Sequence, residues 1–295
     1  MDGAIILDKP SGMTSMDVIR VARRKCNIRR VGHSGTLDPL ATGLLVVLFG
    51  RATKLQNIFL NARKSYSGLI RLGLRTETYD IQGVNHSRTE VPPQIAGNPD
   101  ILKRIEETFS GPQKQLPPVY SALKVAGVAS HKLAREGVEV ELEERDVEIV
   151  FDDLRFHSAE SIRFEVSCSK GTYIRSLARD IGEELGCGAC IESLRRTASN
   201  PFKLESAVTL DTFLENDPQR FLLGMDKLVS HLPRVDFDGG EFSRLEQGQQ
   251  QALEIIELDR EDTMAAVFND GQFGGLIEKR NRGWKLRFLV PSAGE

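Results

Sequence analysis

Asp38, within Val31 to Gly43 (VGHSGTLDPLATG), is an acid in a glycine-rich stretch flanked by cations. A carboxylate among cations is favoured in its charged form, which suits a nucleophile or general base at neutral pH. Pro39 biases Asp38 toward extended backbone and can fix the direction of its side chain. On these residues alone, an Asx-turn aspartate that only orders its loop is the stronger reading. Other familiar catalytic patterns are missing from the chain. There is no Ser-His-Asp arrangement, no Walker-type phosphate loop, and no His or Cys set at metal-ligand spacing. The lone C-x-x-C of Cys187 and Cys190 has no second pair and reads as structural. Together with Cys26 and Cys168, these cysteines are too few and too scattered for a disulfide framework.

The elements around Asp38 must hold it. Residues 3 to 7 read as a short buried strand, and Thr14 with Asp17 resembles a capping box opening a helix through Cys26. Gly32 to Gly43 has many turn formers and no periodicity, which predicts a loop leading into a buried strand, Leu44 to Phe49. Strands are expected at Tyr66 to Leu74 and Ile162 to Cys168. Asn98, Pro99 and Gly111 bracket one helix. Ile174, Leu177, Ala178, Ile181 and Leu185 stripe another between Thr172 and Gly186, with Arg175 off the stripe. Beyond about residue 232 the pattern shifts to short β segments at Met264 to Phe268, Phe273 to Glu278 and Trp284 to Val290. The first two are joined by the hairpin signal Asn269-Asp270-Gly271. The Asp238-Gly239-Gly240 run reads as boundary material.

At 295 residues the chain has room for two domains, expected at 1–232 and 233–295. Apolar content of 40% with 27% charge is ordinary for a soluble protein, and no run reaches membrane-spanning length. Gly3 to Leu7 is short and runs into Asp8, unlike a secretory signal, so a cytoplasmic location is expected. The net charge of -3 hides an asymmetry: residues 1 to 75 carry 13 Lys and Arg against 4 acids, a balance of +9, leaving the rest at -12. That polarity suggests a basic surface facing a polyanion, although a solvated helix face would also account for Arg20 to Arg30.

Residues 32 to 54 (GHSGTLDPLATGLLVVLFGRATK) closely resemble the signature of the TruB family of pseudouridine synthases. They are joined in order by LDKPSGMTS (Leu7 to Ser15), KSYSGLIRLGLRTETYD (Lys64 to Asp80), QLPPVYSALKVAG (Gln115 to Gly127), CSKGTYIRSLARDIGEELGCGA (Cys168 to Ala189) and Leu194 to Arg196. The resemblance implies an α+β fold, a mixed and largely antiparallel sheet with flanking helices, followed by a small β-barrel-like PUA-type domain. It also implies an enzyme that isomerises uridine 55 in the T-loop of tRNA to pseudouridine, needing neither cofactor nor metal. By position, Asp38 matches the catalytic aspartate, Tyr66 the tyrosine that stacks on the target base, and Arg175 the arginine that pairs with the aspartate. His33 matches the residue that helps displace the target nucleotide, while Tyr173 and Leu194 match residues lining the uridine pocket. His131 stands where the family has a tyrosine, and Cys190 is an uncommon second cysteine. The C-terminal part resembles its counterpart loosely, through Leu245 to Gln249 and FGGLIE.

The implied partner is tRNA, with no membrane and no obligate protein partner, and a monomer is expected. A different class of function, a tRNA-binding or tRNA-folding protein in which modification is secondary, or a synthase acting on another RNA, shares most of these features.

Overall fold

The computed structural model describes residues 1–290 apart from 85, 126, 250, 254–255, 257, 260 and 281–282, with the side chains of 86, 131 and 252 also outside the description. The side chain of His131 therefore lies outside the described residues. In chain order the principal elements are β1 (Gly3–Lys9), α1 (Ser15–Cys26), β2 (Val31–His33), β3 (Thr42–Phe49), α2 (Gln56–Asn61), β4 (Lys64–Leu72), α3 (Pro99–Phe109), β5 (Gly111–Gln115), β6 (Arg145–Ser158), β7 (Ser161–Cys168), α4 (Ile174–Glu184), β8 (Ala189–Ser199), β9 (Val208–Thr209), β10 (Arg234–Phe237), α5 (Gly239–Glu246), β11 (Met264–Asn269), β12 (Gln272–Arg280) and β13 (Gly283–Leu289).

The main sheet runs β9-β1-β3-β8-β4-β7-β6-β5. Its pairs are antiparallel except β1–β9 and β3–β8. The continuous apolar run of β3 is what a strand covered on both faces requires. Leu44, Val46 and Leu48 enter one core cluster, and Leu45, Val47 and Phe49 enter another with Val18, Ile19 and Ala22 of α1. A third cluster lies on the other half of the sheet, under Ile174, Leu177, Ala178 and Ile181 of α4. The expected α+β class with a largely antiparallel sheet is what the chain forms.

The capping box of α1 is present, with Thr14 accepting from Asp17 N and Asp17 accepting from Thr14 N. Two local expectations change. Val31–His33 is a strand rather than the start of a loop, because it pairs with the Val47 to Phe49 end of β3, where β8 reaches only Thr42 and Gly43. Asp238 caps α5 through a second capping box with Glu241, so the Asp-Gly-Gly run begins an element.

The C-terminal sheet, β10-β11-β12-β13, turns between β11 and β12 through Asp270 (φ 48°) and Gly271 (φ 78°), as the hairpin signal requires. It is an open four-stranded sheet, and no closed barrel is found among the described residues. Ala266, Phe268 and Leu276 from this sheet join Ala4, Ile6, Leu44, Val46 and Leu48 of β1 and β3 in a single cluster. No helix among the described residues is long and apolar enough to cross a membrane.

Candidate active site

The loop between β2 and β3 is tied down from several sides. Ser15 Oγ accepts from Leu37 N at 2.8 Å and donates to Leu37 O at 3.2 Å, fixing the residue before Asp38 to the start of α1. Lys9, at the end of β1, is fully buried and donates through Nζ to Met13 O (2.6 Å), Pro10 O (2.9 Å) and Pro39 O (3.5 Å). Gly12 N donates to Pro39 O at 2.8 Å. The β1 lysine and the following turn thus hold the backbone just after Asp38 by the Pro39 carbonyl. Burial lowers the Lys9 ammonium to about 8, against the opposing pull of the Asp38 charge.

Asp38 projects into a cavity of about 320 Å³ whose wall includes Tyr66, Tyr173, Arg175 and Leu194. Arg175 Nε donates to Asp38 Oδ2 at 2.8 Å and Nη2 to Asp38 Oδ1 at 3.2 Å, a two-point grip on the carboxylate. Its remaining donors go to Thr78 O (2.7 Å, from Nη1) and Tyr120 O (3.0 Å, from Nη2). The Arg175 side chain is 6% exposed and that of Asp38 33%. The arginine is therefore fixed from behind while the carboxylate still meets the cavity.

Tyr66, on β4, is half-buried and sits directly across from Arg196 of β8 in the strand register. Burial pushes its phenol up, opposed by the charge of Arg196 and by a hydrogen bond from it. Tyr173 precedes α4, with its backbone N donating to Gln115 Oε1 at 2.8 Å and its O accepting from Gln115 Nε2 at 3.1 Å. Burial also raises the Tyr173 phenol, opposed by a hydrogen bond with Ser121. Leu194 follows the bulge between Ile191 and Ser193 and is 8% exposed.

His33 is not on the cavity wall. It ends β2, where Nδ1 accepts from Gly35 N at 3.2 Å, and burial, then Arg196, hold it below the usual histidine range. A neutral ring with Nδ1 as acceptor leaves Nε2–H as its free donor.

Two wall residues were absent from the sequence reading of the site. Arg196 is 1% exposed; its Nε donates to Leu44 O (2.7 Å) and its Nη2 to Gly35 O (3.3 Å), joining the two ends of the Asp38 loop. Lys64 is 7% exposed and donates to Phe59 O, Leu60 O and Ala62 O, each at 2.8 Å, closing the C-terminal end of α2. Lysine and arginine in strands usually read as solvated, and the only available signal was their place within the quoted blocks. Cys187 and Cys190 are both fully buried free thiols.

The assembled group can hold an ionised carboxylate against a flat bound molecule stacked on a tyrosine. Outside the cavity, Arg20, Arg23, Arg24 and Arg29 line a shallow depression at the C-terminal end of α1.

The chain is similar to known proteins over its length. Residues 23–174 match the family described as TruB family pseudouridylate synthase (N terminal domain), and residues 175–230 match the tRNA pseudouridylate synthase B C-terminal domain. The chain is 44% identical over 296 residues to tRNA pseudouridine synthase B of Azoarcus sp. (strain BH72), covering 99% of this chain and 96% of that one. It is 36% identical over 299 residues to tRNA pseudouridine synthase B of Clostridium tetani (strain Massachusetts / E88), covering 98% and 100%. A chain of the crystal structure of a Cbf5-Nop10-Gar1 complex superposes with a TM-score of 0.71 at 25% identity, covering 97% of this chain and 84% of that one.

Proposed function

The chain belongs to the TruB family of pseudouridylate synthases, and from that premise we propose that it isomerises uridine 55 in the T-loop of tRNA to pseudouridine through Asp38. The reaction breaks the bond from C1' to N1, turns the uracil and joins C1' to C5, with no net gain of atoms. It therefore requires a positioned carboxylate and a sheltered pocket, and no cofactor enters the scheme.

The observation that carries the reading is the two-point Arg175–Asp38 pair on the wall of a cavity that also presents Tyr66. Arg175 grips and aims the carboxylate, and the Tyr66 ring offers a face to the base. Tyr173 and Leu194 bound the uridine pocket. His33, behind the loop, acts on displacement of the nucleotide from its stack, whose cost of a few kcal/mol is offset by pocket contacts. The protein works as a cytoplasmic monomer on tRNA without an obligate protein partner, its catalytic part at 1–232 and an RNA-binding part at 233–295.

The test is incubation of the purified protein with unmodified tRNA, followed by digestion, a pseudouridine-specific label and mass spectrometry of the T-loop fragment. Conversion at that single uridine is expected. A product at other sites only, or none, would overturn the proposal.

A further inference from the structure

Two cations on the cavity wall have no acid to neutralise them. Asp38 is the sole acid lining the cavity among the described residues, and Arg175 holds it. Lys64 and Arg196 line the same wall almost sealed from water, and among the described residues their polar heads hydrogen-bond to backbone carbonyls only, apart from the Tyr66 phenol. Carbonyl dipoles solvate a charge without cancelling it, so the wall keeps a net positive field. Burying such charges costs stability, so their presence on the cavity wall points to a role in the chemistry.

Their placement is specific. Lys64 and Tyr66 are two residues apart on β4 and so share a face, while Arg196 is the cross-strand partner of Tyr66. A base lying on the Tyr66 ring therefore has both cations within a side chain's reach of its plane, in a site where water does not screen them.

Building on the reaction proposed above, we infer that Lys64 and Arg196 electrostatically stabilise the uracil anion that departs from C1'. When the bond from C1' to N1 breaks, N1 keeps the electron pair. This holds whether the deficit at C1' is met by a bond from the Asp38 carboxylate or by loss of the C2' proton to it. C5 of the same anion then bonds C1', releasing the carboxylate or taking back the C2' proton, and the C5 proton leaves while N1 gains one. Negative charge thus moves from Asp38 to the base and back within one cycle. Fixed cations beneath the base favour the first transfer without having to reorganise. A phosphate is a poorer occupant, because both heads are already turned onto backbone carbonyls and too little of either remains exposed to meet a tetrahedral group.

The test is the single-turnover rate of C1'–N1 cleavage on a T-stem-loop RNA carrying uridine or 5-fluorouridine at the target position. Loss of the N-linked nucleoside after digestion is the readout, alongside the RNA Kd. Fluorine makes the departing base a weaker base that needs less stabilisation, and loss of the N-linked nucleoside reports cleavage whether or not C5 then bonds C1'. Lys64→Gln and Arg196→Gln should each slow cleavage of uridine by about 10²-fold with little change in Kd, and the deficit should shrink on 5-fluorouridine. Arg196→Lys, which keeps the charge, should recover most of the rate, and it serves with Lys64→Gln should Arg196→Gln fail to fold. Equal deficits on both nucleotides, or a loss confined to Kd, would overturn the inference. A wild-type protein that leaves uridine unchanged would instead overturn the proposed function itself.

Discussion

Arg175 makes four hydrogen bonds, two to Asp38 and one each to Thr78 and Tyr120, and it leaves the carboxylate no other cation at hydrogen-bond distance among the described residues. Asp38→Asn keeps the shape of the side chain but removes its charge. Turnover should fall at least about 10³-fold, a barrier increase of about 4 kcal/mol, while tRNA affinity, set by phosphate contacts and stacking, stays within a few fold in a filter-binding assay. The fold should lose roughly 1–2 kcal/mol, short of the 3–5 kcal/mol typical when a fully buried pair is broken, because a third of the Asp38 side chain remains exposed. Burial depresses Lys9 and Lys64 to about 8 in the folded protein, from 10.5. The unfolded chain then binds more protons between about pH 8 and 10.5, so stability contributed by these two groups should rise with pH across that window. Turnover should fall over the same rise as Lys64 discharges, and Lys64→Arg, which stays charged, should remove that part of the decline in a pH–rate profile. Asp38, Tyr66 and Arg175 were legible from their surrounding blocks, but the burial of Arg175 was not. An arginine off the apolar stripe of α4 reads as solvent-facing, and only the opposing wall of strands and the 116–123 segment turns that face inward. The same holds for Lys64 and Arg196, whose concealment depends on carbonyls supplied from elsewhere in the chain.

The Asp38 loop is held in the gap where β3 and β8 run parallel for two residues. Gly43 makes that contact possible: its φ is +101°, and a Cβ there would lie 2.3 Å from Arg196 O. Gly43→Ala should therefore cost at least about 3 kcal/mol, from the backbone strain and the displaced strand together. A scanning-fluorimetry melt lower by roughly 6–12 °C is expected, and an unchanged melt would show that the junction can widen freely. Apolar runs and caps made β1, β3, α1, α3 and α4 readable, since local chemistry there agrees with tertiary burial. The strands β5, β6 and β8 were not read, for identifiable reasons. Bulges interrupt the two-residue alternation of β6 between Phe151 and Asp153 and of β8 at Ile191/Ser193 and Arg196/Ala198. Strand β5, GPQKQ, is a polar sheet edge whose only partner is β6, the place where glycine and proline are tolerated in a strand.

Across the whole molecule, six of the 13 cations of residues 1–75 (Arg20, Arg23, Arg24, Lys25, Arg29 and Arg30) lie from the middle of α1 to just beyond its C-terminal end. Arg20 is paired with Asp17 at 2.6 Å, whereas Arg23, Arg24, Arg29 and Arg30 form no ion pair among the described residues. Neutralising those four should flatten the slope of log K against log salt by up to about 3, whereas an unchanged slope would make the cluster a solvated surface only. The charge asymmetry was visible in the sequence; its concentration on the end of a helix whose start anchors Leu37 was not. The cluster shared by Ala266, Phe268 and Leu276 with Ala4, Ile6, Leu44, Val46 and Leu48 has a further consequence. Strands β1 and β3, which lead into and out of the Asp38 segment, have one face roofed by residues more than two hundred positions later. Calorimetry should accordingly record one heat-absorption peak with matching van't Hoff and calorimetric enthalpies, rather than a small early peak for 233–295. During synthesis the ribosome must release chain well beyond residue 276 before that face can close, so the Asp38 loop settles only after the β11–β12 hairpin has been made.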